Sequence, residues 1–387
     1  MEYFKELPAI GRDMGQVLML VGLTSLLPIA VGLIYQEWDA IPWMAISTAA
    51  LCGTGFILRF FIPKTDFRPR TSLSVAYTAL VWLIVGVFGC FPFLYTGAPL
   101  LDCAFESMSA WTGTGFSILP NLDEIPKTLL FWRSLMQWIG ALGIVAFTLT
   151  IASRSGLVTR NLYRSEGRTE SFMPSVIATV FQTWKIYLVL TGISFILILL
   201  TGVGVWDSIN LALCGIATGG MTIHSAGIPY YNNFALELIL IPVMIAGAVP
   251  FRLYYAAYVK HSVKEILKDK MLHTIIAIFI FVSAVIIIEL KAAGFSLLNA
   301  VRQGLFMAGT AVSSTGFQNT DFSGWPIAII IFISVFLLIG GPQGSTAGGL
   351  KIDRIIVMFN TFVWWFKKTM LSSKAVLRMK HNDNTLK

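Results

Sequence analysis

Three short stretches carry the residue types that could strip water from a small cation and hold it. They read D-C-A-F-E-S-M-S-A-W-T-G-T-G-F-S from Asp102, D-S-I-N-L-A-L-C-G-I-A-T-G-G-M-T from Asp207 and Q-G-L-F-M-A-G-T-A-V-S-S-T-G-F-Q from Gln303. In each, a glycine (Gly115, Gly220 or Gly316) stands thirteen positions after the opening residue, ahead of a bulky apolar residue and then a polar one. The clusters that close them (Thr112, Gly113, Thr114 and Gly115; Thr218, Gly219 and Gly220; Ser314, Thr315 and Gly316) offer carbonyls, hydroxyls and no charge. Glycine admits backbone angles closed to other residues, so successive carbonyls can face one axis. Rings of such oxygens replace the hydration shell of an alkali cation, and neutral ligands let it leave as readily as it enters. A single cluster would equally be a turn between helices; three in matched register predict one monovalent-cation site assembled around a common axis.

A second feature, G-G-P-Q-G-S-T-A-G-G from Gly340 to Gly349, interrupts an apolar run that extends from Pro326 to Phe366. Its Pro and its glycines (Gly340, Gly341, Gly344, Gly348, Gly349), together with Ser345 and Thr346, cannot continue a lipid-facing helix. The spacing predicts a loop without regular hydrogen bonds that gates the path below the filter; a kink packed on a neighbouring helix is the alternative. Lys351, Asp353 and Arg354 follow and place charge where the path would open. Arg133 is expected to pair with Glu106 or Asp102, His224 to stand alone near the second cluster, and Glu289 and Lys291 to snorkel from a helix end. Cys52, Cys90, Cys103 and Cys214 lie far apart in or beside apolar runs and read as buried apolar residues rather than ligands or bridges.

These clusters need a scaffold, and the composition names it. With 387 residues, 56% hydrophobic and 12% charged, the chain is expected to be an all-α polytopic membrane protein. The net charge of +8 sits in short segments between apolar runs, which the positive-inside rule explains without nucleic acid. Arg59 to Arg70, Arg154 to Arg168 and Arg252 to Lys270 then mark the cytoplasmic side, the N-terminus shares it, and no removable signal peptide is read. The chain divides into a helix pair (1–70) and three units, 71–170, 171–270 and 271–387, each expected to be helix, pore loop, helix. Within each pore loop about ten helical residues, capped by Asp102 and Asp207 in the first two, reach half way across the hydrocarbon. The free carbonyls beyond them cannot face lipid.

Taken together, F-E-S-M-S-A-W-T-G-T-G-F-S, F-W-R-S-L-M-Q-W-I-G, I-A-T-G-G-M-T-I-H, S-S-T-G-F-Q-N-T-D-F and G-G-P-Q-G-S-T-A-G-G-L-K resemble the Trk/Ktr/HKT superfamily of potassium transporters, in particular the bacterial Trk membrane subunit. The resemblance covers nearly the whole chain. It implies K⁺ uptake across the cytoplasmic membrane, one filter glycine per repeat, a homodimer of two pores, a cytosolic ring of nucleotide-binding regulatory subunits, and a gate at Gly340 to Gly349. Members of that superfamily have four repeats, whereas three are present up to Lys387, without a fourth filter glycine or the arginine of the last helix. A truncated product, a partner chain supplying the fourth wall, or a non-transporting remnant would each account for this. A Na⁺-permeable or poorly selective transporter is the other transport reading. A membrane-embedded enzyme would need convergent ionisable side chains, and the spans hold no H-E-x-x-H and few acids. The basic segments Arg154 to Arg168, Lys260 to Lys270 and Lys367 to Lys380 are expected to form the regulatory docking face.

Overall fold

A computed structural model describes residues 2–63, 71–143, 173, 175–261, 263–370, 380–381 and 384–385. Helices α1 (Glu2–Thr24), α2 (Leu26–Tyr35) and α3 (Ile41–Phe61) form the N-terminal hairpin. A Cβ added to Gly15 would lie 2.6 Å from the Gly55 carbonyl oxygen, so the helices touch backbone to backbone where small residues face each other. The hairpin is tied to the rest by Glu37, whose carboxylate accepts from the Lys127 and Thr128 amides at 2.8 Å and from the Thr128 hydroxyl at 2.7 Å. A carboxylate at the positive end of α6 (Lys127–Leu142) satisfies donors that a helix leaves free.

The same plan then occurs three times. A long apolar helix leads to a helix that ends in one of the clusters and then to a third helix: α4 (Thr71–Gly89), α5 (Leu100–Thr112) and α6; α7 (Val176–Leu199), α8 (Val205–Ile216) and α9 (Phe234–Ala248); α12 (Lys270–Ala292), α13 (Leu297–Ser313) and α14 (Ile327–Ile339). Among the described residues, five helices are long and apolar enough to cross a membrane, or six if a pair bent by 90° counts as one span. The chain is therefore an all-α, multi-pass membrane protein. Helix α15 (Ile352–Met370) ends the described helical part, ahead of a two-residue antiparallel pairing of Lys380–His381 with Asn384–Thr385.

Several expectations change. Asp102 and Asp207 are not caps; Pro99 and Gly204 occupy those positions and the aspartates sit in the first turn. The third short helix begins at Leu297, capped by the Ser296 hydroxyl, so Gln303 lies within it rather than opening it. Its 17 residues reach about 26 Å at 1.5 Å per residue, against roughly 20 Å for the other two. The apolar stretch from about 234 to 258, which reads as a single inward span of the second unit, is not one helix. It breaks at Val249 and Pro250, and α10 (Phe251–Lys260) leaves at 90° before the short α11 (Val263–Leu267). Pro250 has no N–H to continue α9 and holds Val249 extended, with φ −75° and ψ 135°. Of the basic segments, 64–70, 154–168 and 371–379 lie outside the described residues, as do the unit boundaries expected near 70 and 170.

Candidate ion-conduction site

The three clusters fold alike. Each short helix ends in a left-handed residue, Gly113 (φ 68°), Thr218 (φ 51°) or Ser314 (φ 52°), and two positions later the matched glycine is left-handed again: Gly115 (φ 80°), Gly220 (φ 75°) and Gly316 (φ 94°). Between them one amide turns back to the same helical position in every copy, Thr114 to Ser109 at 3.0 Å, Gly219 to Cys214 at 3.0 Å and Thr315 to Thr310 at 3.1 Å. The chain thus leaves the helix at a fixed angle and its following carbonyls lose helical partners.

The turns also meet in sequence. A Cβ on Gly115 would fall 2.0 Å from the Gly219 carbonyl oxygen, and one on Gly220 would fall 2.1 Å from that of Thr315. Among the described residues, a Cβ on Gly316 would meet only the Gly220 Cα, at 3.9 Å. The second turn is therefore flanked on both sides while the first and third bound an open side. Phe116 is 69% exposed, against 3% for Met221 and 1% for Phe317, so of the two outer turns only the first leaves its apolar residue uncovered among the described residues.

Residues outside the clusters brace them. Gln137, buried in α6, donates its amide to the Gly219 carbonyl at 2.7 Å and accepts from the Met221 amide at 3.2 Å. Ser109 and Thr310 donate to the carbonyls of Phe116 (2.6 Å) and Phe317 (2.7 Å). Thr112 shares a proton with Thr114 (2.8 Å) and Ser313 with Thr315 (2.6 Å), so these hydroxyls are partly committed to one another. Gln137 was legible only as a polar residue inside an apolar helix, the usual mark of function in a span.

Above the turns, at the rim, charge is paired. Arg133 donates to Glu106 (2.7 Å), to Ser117 (3.0 Å) and across to the Thr222 carbonyl (2.9 Å), and both ionic side chains are buried. Glu106 rather than Asp102 is the partner. One repeat along, Glu237 of α9 receives two hydrogen bonds from Arg302 and one from Asn319 at 2.8 Å, a cluster the sequence reading missed. His224 does not stand alone: its ring nitrogens lie 2.6 Å from Asp123 and 2.9 Å from Asp207, and its ring stacks on Tyr230. Ionised carboxylates only accept, so both contacts are satisfied together only when both ring nitrogens carry protons. Among the described residues, no group of three His, Cys, Asp or Glu side chains is placed to hold a metal ion. Asp39, Asp123, Glu124, Asp207 and Lys127 line a rim cavity of about 690 Å³. A cleft with such an acidic excess raises local cation concentration.

The hydrogen bond from His224 holds the half-exposed Asp123 carboxyl below the usual range, outweighing desolvation, and Ser225 adds to it. A depressed carboxyl contributes stability that is present above its ordinary pKa and lost as the pH falls through its folded value. His224→Gln should thus lower the melting temperature in detergent near neutral pH. The gap to the unsubstituted protein should then close as the medium is acidified below about pH 4. A gap that stays constant with pH would show that the bridge does not depress Asp123.

Below the turns, the Gly-rich segment is a tight hairpin rather than a loop without hydrogen bonds. α14 ends at Gly340 (φ 68°), and the returning strand pairs through Leu350 to Leu338 and Lys351 to Ile339, both at 2.9 Å. A Cβ on Gly340 would lie 2.1 Å from the Gly348 carbonyl oxygen, which leaves glycine as the residue that fits. Ser345 donates to the Pro342 carbonyl at 2.8 Å, Lys351 donates to that of Ala347, and Asp353 accepts from the Gln343 amide at 2.7 Å. Between this hairpin and the first turn lies a cavity of about 440 Å³, lined by Thr112, Gly140, Gly143, Gln343–Thr346 and Lys351. The filter and gate candidates are thus neighbours across one small space.

The model of one protein family, described as cation transport protein TrkH, matches residues 57–387. The chain belongs to the TrkH family. An uncharacterised cation transporter of Methanocaldococcus jannaschii is 32% identical over 99% of this chain and 78% of its own length. The Trk system potassium uptake protein TrkH of Vibrio parahaemolyticus is 31% identical over 90% of this chain and 74% of its own. The crystal structure of the potassium transporter TrkH from Vibrio parahaemolyticus superposes with a TM-score of 0.87 at 28% identity, covering 98% of this chain and 80% of that one. TrkH relatives are cation transporters, so the reading as a membrane-embedded enzyme is set aside.

Proposed function

We propose that the chain conducts K⁺ into the cell. The observation that carries this is the threefold turn: the same amide bond and the same pair of left-handed residues recur where three short helices converge. A hydrated ion would collect in the acidic rim cavity and lose water against backbone oxygens of residues 112–115, 218, 220 and 314–316. It would then be held above the hairpin of Gly340 to Gly349, which acts as the gate. Gly219 serves in this scheme as a strut, because its carbonyl is engaged by Gln137.

In this reading the rim faces outward and the N-terminus lies in the cytoplasm, within the inner membrane. The units are 1–70, 71–170, 171–270 and 271–387. The assembly is a homodimer on a cytosolic nucleotide-binding regulatory ring that meets the basic segments, and a further transmembrane segment closes the side of the path beside Gly316. The relatives named as Trk potassium uptake proteins support the choice of ion. The test is Rb⁺ uptake by a K⁺-uptake-deficient host that carries the gene at its own locus, so that any continuation of the reading frame is included. Uptake saturating with Rb⁺ and resisting excess Na⁺ is expected. Equal competition by Na⁺ would replace K⁺ selectivity with general cation permeation, and no uptake by inserted protein would overturn the transport reading.

A further inference from the structure

We propose that Thr218 and Ser314 form a two-point latch that holds the Gly-rich hairpin shut against the inner ends of the second and third turns. This rests on the reading of the hairpin as a gate. Both residues are left-handed, a conformation a Cβ disfavours, and the first turn has Gly113 at the same place with open space around it among the described residues. The backbone asks for glycine there, so the two side chains persist for another reason.

What they touch is the hairpin. The Ser314 hydroxyl accepts from the Gly348 amide at 2.8 Å. The Thr218 hydroxyl lies 3.3 Å from that of Thr346, and its one proton is shared between that contact and the Ala217 carbonyl at 2.7 Å. Thr346 in turn reaches the carbonyls of Ile216 at 3.0 Å and Gly247 at 2.9 Å, and its amide donates to Gly247 at 3.1 Å. Gly247 lies in the last turn of α9 just before the break at Pro250, and the first amide beyond that proline, Phe251, donates to the Gly344 carbonyl at 2.8 Å. The hairpin therefore bridges the two turns and the bend of α9. A movement of α10 that withdrew the Phe251 amide would work against the Thr218 and Ser314 contacts together with the bonds of Thr346 to Ile216 and Gly247. Moving the hairpin breaks those bonds while the hydrogen bonds inside it survive, so the latch sets the resting level of the gate.

Ser314→Gly and Thr218→Gly relieve the backbone and remove the latch, so folding and flux should move independently. Each is expected to keep or raise the melting temperature while raising resting Rb⁺ flux roughly three- to tenfold, the effect of one ordinary hydrogen bond. Amide exchange at Gly348 should accelerate in Ser314→Gly, and Ser314→Thr, which keeps the hydroxyl, should restore resting flux. Stable glycine variants with unchanged resting flux and unchanged exchange would overturn the latch. So would altered Na⁺ competition at unchanged resting flux, since the hydroxyls would then be ion ligands. If the unsubstituted protein moves no Rb⁺ at all, the transport reading itself fails, and the latch with it.

Discussion

Gly115→Ala and Gly220→Ala are expected to abolish uptake, whereas Gly316→Ser should leave an assembled protein with reduced preference for K⁺ over Na⁺. The first two methyl groups would lie 2.0 Å and 2.1 Å from backbone oxygens of the next turn, which cannot rotate aside as a side chain can. Overpacking of about 1–3 kcal/mol adds to roughly 1–2 kcal/mol for a left-handed residue with a Cβ. That sum rivals a large part of the stability of an ordinary domain, and it falls on the contact that sets the spacing between turns. At Gly316 the nearest described atom is 3.9 Å away, so a serine bears the backbone term alone and alters the turn from within. Size-exclusion yield and Na⁺ competition with Rb⁺ uptake read the two effects separately. Equal damage at all three glycines would mean that the turns are not stacked in this order.

The graded effect could not have been read from the chain. The matched register of Gly115, Gly220 and Gly316 was visible because each copy repeats one pattern of local conformation, and local conformation is written in residue type. The neighbours of each glycine depend on how the repeats pack, and no residue type announces that Gly219 lies against Gly115. The break at Pro250 was missed for a related reason: a proline near the end of an apolar run is compatible with a kinked span. What turns α10 aside is its docking on Gly344, almost a hundred residues later in the chain. His224 was legible as a histidine by the second cluster, yet its partner Asp123 follows the first. Long-range pairs of this kind arise from the convergence of the repeats, which is also why Glu237 and Arg302 found each other unseen.

Removing Glu106 alone should destabilise the protein more than removing Glu106 and Arg133 together. Arg133 is 1% exposed and spends its donors on Glu106, Ser117 and the Thr222 carbonyl. In Glu106→Leu its charge would stay buried without a counter-charge, a loss of about 3–5 kcal/mol, while an apolar pair of similar volume is often close to neutral. Glu106→Leu with Arg133→Met should therefore recover most of the melting temperature. It should not recover selectivity, because the bond from Arg133 to Thr222 joins α6 of the first unit to the segment that leaves the second turn. The double variant would hold the helices and lose the strut, so the spacing between turns would relax and Na⁺ would compete better for Rb⁺ uptake. Recovery of both properties would mean that Gln137 and the glycine contacts alone keep the two turns in register, and that the ion pair serves folding without shaping the ion path.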